Sequence, residues 1–188
     1  MNQPQKGPTG PDSQIIQLKP VGIIRNKSKD PRWDGTLSKL DWKERAATMK
    51  EQRESVSELV MDASLDGILD GIEDFSHIMV LYWAHLAPSE RRSTTRVHPM
   101  GNRDFPLVGV FATHSPVRPN SILATVVRLI ERRGNVLKVT GLDALDGSPI
   151  LDIKPYQPYQ EPKDIRVPDW MKKIHDEFTD DENAGCSS

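Results

Sequence analysis

Seven consecutive apolar residues, Ile78 to Ala84, stand between His77 and His85 in a chain whose other apolar runs are also short. A run of that length suits a β-strand better than a helix, and its unbroken apolarity predicts burial on both faces. Further strands are predicted over Ile15–Ile24, with Val21–Ile24 as the apolar part, and over Glu58–Met61, Leu107–Ala112, Ile122–Glu131, Asn135–Thr140 and Pro149–Ile153. Gly134-Asn135 between two β-branched runs marks a hairpin, and Asp146-Gly147 marks the turn before the last strand. Helix formers gather only in the charged stretch from Leu40 to about Ser57 and in a short C-terminal segment, Val167–Ile174, opened by proline and aspartate. Asp66–Phe75 is read as a turn-rich or one-turn-helix connection, and Pro88–Asp104 as one long polar, basic loop. No alternating strand–helix rhythm exists, and neither GxGxxG nor GxxxxGK[ST] occurs, which argues against a nucleotide-binding doubly wound fold. The class is mainly β, with a few short helices.

Length and composition fit one core with polar tails: 188 residues, 36% hydrophobic and 28% charged. The proline- and glutamine-rich residues 1–13 are expected to be a disordered tail, residues 14–160 the folded domain with a charged helical insertion near 36–57, and 161–188 a short helix and polar tail. A formal net charge of −2 argues against a generally basic nucleic-acid binder but leaves room for a local basic face. The single cysteine, Cys186, lies in the acidic tail, so neither an internal disulfide framework nor a cysteine metal cluster is expected. No apolar run reaches a membrane span, and the first residues lack a signal-peptide core, so a soluble, cytoplasmic protein is expected.

Two segments concentrate unusual chemistry. In Val110–Asn120 the prolines Pro116 and Pro119 hold Ser115 and Arg118 extended, which presents the Arg118 guanidinium for bidentate recognition of a carboxylate or phosphate. Structural pairing of Arg118 with Asp143 or Asp146 is the competing reading. In Gly141–Tyr156, Asp143 and Asp146 stand three apart across a turn, a spacing that serves an acid–base pair or turn capping equally. Asp152 and Lys154, two apart on a strand, share a face and can pair with each other. His77 and His85, eight apart, also share a face, and His85 ends the apolar strand where a side chain is delivered to a site or simply caps the strand. The five histidines show no HExxH pattern or short ligand pairing, so no metal site is expected. Thr113-His114-Ser115 lacks a GxSxG elbow and alternates faces, which argues against a serine hydrolase.

Both segments, together with Pro20-Val21-Gly22-Ile23-Ile24-Arg25 and Ile72-Glu73-Asp74-Phe75-Ser76-His77, resemble the TsaA-like family, also called the YaeB or TrmO family, over about Pro20 to Pro158. The resemblance implies a single-sheeted antiparallel β-barrel, a homodimer, and S-adenosylmethionine-dependent tRNA methylation at N6 of a threonylcarbamoyl-modified adenosine near the anticodon. It places the methyl donor at His85, Leu86, Arg118, Arg128, Asp143, Ala144, Leu145 and Asp146. Arg118 would pair the donor's carboxylate, the acids its ammonium or ribose hydroxyls, and the Ala144 and Leu145 backbone its adenine edge.

The family pattern has arginine, proline and glycine where this chain has His114, Ser121 and Leu123. His114 replaces a permanent charge with a pH-dependent one, and Leu123 adds bulk. Acceptor contacts are expected from Trp33, Arg96, His114 and Asn120. The arginines of 91–103, with Arg25, Lys27, Lys29 and Arg32, offer a basic face for tRNA, and Trp33 a ring to stack on a base. Methylation of a small metabolite and non-catalytic binding of S-adenosylmethionine or tRNA are the alternatives.

Overall fold

The structure is a computed structural model that describes residues 16–28, 51 and 54–174. The 1–13 tail, Trp33, most of the charged insertion and the residues after Ile174 lie outside the described residues. The strands are β1 (Gly22–Arg25), β2 (Val56–Met61), β3 (His77–Trp83), β4 (Arg96–Val97), β5 (Val108–Gly109), β6 (Ile122–Arg133), β7 (Val136–Thr140) and β8 (Pro149–Pro155). Six of them close into one antiparallel barrel in the order β1-β2-β7-β6-β3-β8, with β8 returning to β1 through Gly22↔Ile150, while β4 and β5 form a separate two-stranded ribbon.

Strand parity builds the core. On β3, Ile78, Val80 and Tyr82 are 0, 0 and 2% exposed, whereas Met79, Leu81 and Trp83 are half-buried. The expectation of burial on both faces is therefore corrected: a single-sheeted barrel has only one inside, and successive side chains alternate across it. Ile24, Leu59, Val127, Leu137, Val139 and Ile150 complete the same interior, with Leu59 opposite Leu137 in the β2–β7 register. The β6–β7 hairpin turns at Gly134-Asn135 with Gly134 at φ 60°, the left-handed conformation such a turn requires.

Several boundaries differ from the sequence expectation. β1 begins at Gly22 rather than Ile15, because Pro20 has no N–H to give a ladder. β2 begins at Val56, directly after a helical turn whose Ser55 amide donates to the Glu51 carbonyl at 3.1 Å. β6 and β8 run further than expected, to Arg133 and Pro155. Only Val108–Gly109 of the expected Leu107–Ala112 strand pairs. Val110–Ala112 coils into a 3-10 turn instead, its Val110 carbonyl accepting the Thr113 hydroxyl at 2.8 Å. Pro88–Asp104 is more than a loop, since it carries 3-10 turns at Ser89–Arg91 and Pro99–Gly101 and the strand β4. Among the described residues no helix is long and apolar enough to cross a membrane.

Gly22 is a point of close approach: a Cβ there would lie 2.6 Å from the Val60 carbonyl oxygen, a backbone atom that cannot swing aside. We expect Gly22→Ala to lower stability by about 1–3 kcal/mol through overpacking, read as a shift in the urea midpoint. A variant as stable as the parent would show that β1 and β2 have slack at this position.

Candidate functional site

At the barrel end where β3 stops and β8 starts, three segments enclose a cleft of about 130 Å³. The β3 end supplies Tyr82, Ala84, His85 and Leu86, the 113–118 loop supplies His114 and Pro116, and the bend after β7 supplies Asp143, Ala144 and Leu145, with Leu123 and Ser148 completing the wall. The proline-held loop and the acidic bend thus come together, as the sequence suggested.

Asp143 is held from below. Tyr82 Oη donates to Asp143 Oδ1 at 2.8 Å and Thr125 Oγ1 donates to the same oxygen at 2.5 Å. Among the described residues Asp143 Oδ2 receives no donor. Burial, and after it the Asp143 charge, push the Tyr82 phenol far above its ordinary value of 10.0, so it remains a proton donor throughout the working pH range. Asp143 lies exposed on the cleft surface.

Asp146 has a different task. Its Oδ1 accepts the Asn26 amide at 3.0 Å, and its own amide donates to the Ser28 carbonyl at 2.7 Å. Asn26 clamps the bend further: Nδ2 donates to the Ala144 carbonyl at 2.9 Å and to Ser57 Oγ at 3.2 Å, while Oδ1 accepts the Ser28 amide at 3.0 Å. Asp143 and Asp146 are therefore bonded to separate partners. The Ala144 carbonyl is taken by Asn26 and the Leu145 carbonyl by the Ser148 amide at 3.1 Å; separately, the amides of Ala144 and Leu145 have no acceptor among the described residues. Two N–H donors and one carboxylate oxygen, set beside the apolar Leu86, Pro116 and Leu123, suit a ligand with both a polar edge and apolar parts.

His85 packs over Gly147, whose Cα carries φ 79°, and its Nδ1 lies 3.2 Å from Ser148 Oγ. Loss of solvent lowers its pKa from 6.5, against a smaller opposing pull from Asp146. The sign follows: the folded state takes up the proton less readily than the unfolded chain, so His85 contributes stability that is present above 6.5 and lost as pH falls below it. We expect the melting temperature to drop on acidification below that value, with a shallower drop in His85→Gln. Parallel profiles for the two proteins would contradict this.

Of the other residues expected from the sequence, Arg96, Arg118, Asn120 and Arg128 do not line the cleft, and Trp33 lies outside the described residues. The Arg118 guanidinium lies over the Phe111 ring, 5.4 Å from its centre, and makes no ion pair with Asp143 or Asp146 among the described residues. Arg128 stands on the outer face of β6, opposite in parity to the inward Val127 and Leu129. Arg96 is on β4 and Asn120 is exposed on the loop before β6. Asp152 and Lys154 pair with each other at 2.6 Å. Sequence reasoning missed Asn26, Tyr82, Thr125 and Ser148. Tyr82 was detectable, since it shares parity with Ile78 and Val80 and ends a buried face with a hydroxyl.

Comparison with known proteins gives this geometry a family. The model of the tRNA-methyltransferase O N-terminal domain matches residues 42–161. A Methanothermobacter thermautotrophicus protein named "Probable S-adenosyl-L-methionine-binding protein" is 42% identical over 141 residues, covering 75% of this chain and 90% of that one. The mouse tRNA (adenine(37)-N6)-methyltransferase is 35% identical over 117 residues, covering 62% of this chain and 27% of that one. The crystal structure of TrmO from Pseudomonas aeruginosa superposes with a TM-score of 0.59 at 28% identity, covering 85% of this chain. The chain spans 63% of that structure's length. The closed barrel, the converging bend and loop, and the matched sequence all agree: the chain belongs to the TrmO family, through its tRNA-methyltransferase O N-terminal domain.

Proposed function

We propose that this protein is an S-adenosylmethionine-dependent methyltransferase that modifies N6 of a threonylcarbamoyl-bearing adenosine beside the anticodon of a tRNA. The observation that carries the reading is the cleft itself, where the Ala144 and Leu145 amides and Asp143 Oδ2, all without a partner among the described residues, stand together. The donor, when bound, supplies an activated methyl group. The chain's own residues do the holding: Asp143, locked by Tyr82 and Thr125, takes the ammonium or ribose hydroxyls, and the two amides take the adenine edge. Leu86, Pro116 and Leu123 keep water from the apolar parts, and neutral His85 supports the bend through Ser148. Such a transfer depends on alignment more than on a covalent catalyst, and a pre-bonded carboxylate costs little reorganisation when the ligand arrives.

His114 and Leu123, both departures from the family pattern, line this cleft. They stand where the acceptor and donor are expected to meet, so acceptor choice is expected to depend on them. The mouse relative's name supports the tRNA adenosine. A second reading, donor binding without transfer, is favoured by the name of the archaeal relative. We also propose a homodimer, for which Val126 and Ile130, 40 and 50% exposed on the outer face of β6, offer apolar surface.

The test is incubation with methyl-labelled donor and bulk tRNA, followed by digestion to nucleosides. Label in a modified adenosine is the expected result. Label only in a small-molecule fraction would give the enzyme a metabolite as acceptor, and bound donor with no transfer at all would make the protein a binder.

A further inference from the structure

The stretch from Glu90 to Arg118 holds five arginines, Arg91, Arg92, Arg96, Arg103 and Arg118, against two acids, Glu90 and Asp104, in a chain whose formal net charge is −2. Among the described residues none of the five makes an ion pair. The β4–β5 ribbon shapes this arm. Arg96 pairs with Gly109, and the next residue, Val110, is buried and donates its amide to the Thr95 carbonyl at 2.9 Å.

That anchor turns Phe111 outward. The ring is 75% exposed, although a phenylalanine gains most from burial. Arg118 covers one face of it at 5.4 Å. Three residues further on, His114 lines the cleft. A second arginine–aromatic stack belongs to the same arm, with Arg92 over Trp83 at 5.0 Å, where β3 ends beside the cleft.

We propose that this arm is the docking surface for single-stranded RNA, with Phe111 as the platform on which a nucleobase stacks and Arg118 backing the ring. The inference rests on the tRNA reading above and deepens it by naming the residues that hold the nucleotides next to the modified one. Cations with no ion pair among the described residues can track a phosphate backbone, and an exposed ring accepts any base on its π-face. A protein partner fits less well, because an arm with this excess of arginine over acid asks for a polyanion. The assignment also gives the Arg118 guanidinium a role that its position supports, outside the donor cleft.

The experiment measures the affinity of the full chain for a labelled anticodon stem-loop RNA by fluorescence anisotropy, in parent, Phe111→Leu and Phe111→Trp, with calorimetric titration of S-adenosylmethionine alongside. Phe111→Leu keeps an apolar side chain and is expected to weaken RNA binding about tenfold, Phe111→Trp to restore it, and donor affinity to stay constant. Unchanged RNA affinity in Phe111→Leu overturns the proposal while leaving the tRNA reading intact. The same holds if the variant loses self-association instead, which would assign the ring to a protein contact. A parent protein that binds no RNA removes the tRNA reading and this inference together.

Discussion

Asp143→Asn is expected to weaken S-adenosylmethionine binding roughly ten- to hundredfold, about 1.5–3 kcal/mol, while leaving the barrel almost as stable as before. The asparagine oxygen still accepts from Tyr82 and Thr125, so the bonds beneath the site survive. What disappears is the negative charge offered to the donor at the second oxygen. Asp143→Ala separates the two roles from the other side. It removes the charge and also leaves the Tyr82 hydroxyl, buried at 2% exposure, without its acceptor, so a further stability loss of about 1–3 kcal/mol is expected. Calorimetric titration together with thermal melts of both variants reads the split. An asparagine variant that binds the donor like the parent would mean that the Asp143 charge does not face the ligand.

The largest loss of stability is expected from Leu137→Ala, about 2–5 kcal/mol. Leu137 is fully buried near the start of β7 and stands directly opposite Leu59 on β2, so truncation opens a cavity that two neighbouring strands of a closed barrel cannot collapse into. The chain leaves β7 straight into Gly141–Asp143, so loosening this strand also loosens the bend of the site. Equilibrium denaturation would show the loss as a lower midpoint at unchanged slope. A shift worth under about 1 kcal/mol would indicate that the interior repacks freely.

Local signals made the strands legible. The apolar run of β3, the Gly134-Asn135 turn and the β-branched runs of β6 and β7 were read correctly because each depends on neighbours in sequence. Closure of the barrel is non-local, made by β1 meeting β8 across more than half the chain, and it entered only through the family resemblance. The same distinction explains the site. The bend at Asp143–Leu145, the strand end at His85 and the loop at His114 and Pro116 carry their chemistry in short segments, and all of them line the cleft.

Asn26, by contrast, acts through Ala144 and Asp146, more than a hundred residues away, and nothing local marks it. Arg118 shows the limit of the proline argument: Pro116 and Pro119 constrain the backbone around it, but its long side chain still chose between the cleft and the Phe111 ring.

The central claim is that the cleft between the β3 end, the loop before β6 and the bend after β7 is where the methyl donor is held. The most direct measurement is a crystal structure of the chain grown with S-adenosylhomocysteine. The account predicts ligand density in this cleft, with its polar edge on the Ala144 and Leu145 amides and Asp143 within hydrogen-bond distance. Density at the other end of the barrel, in the hollow between Asp62 and Asn135, or on a surface away from Asp143, would contradict it.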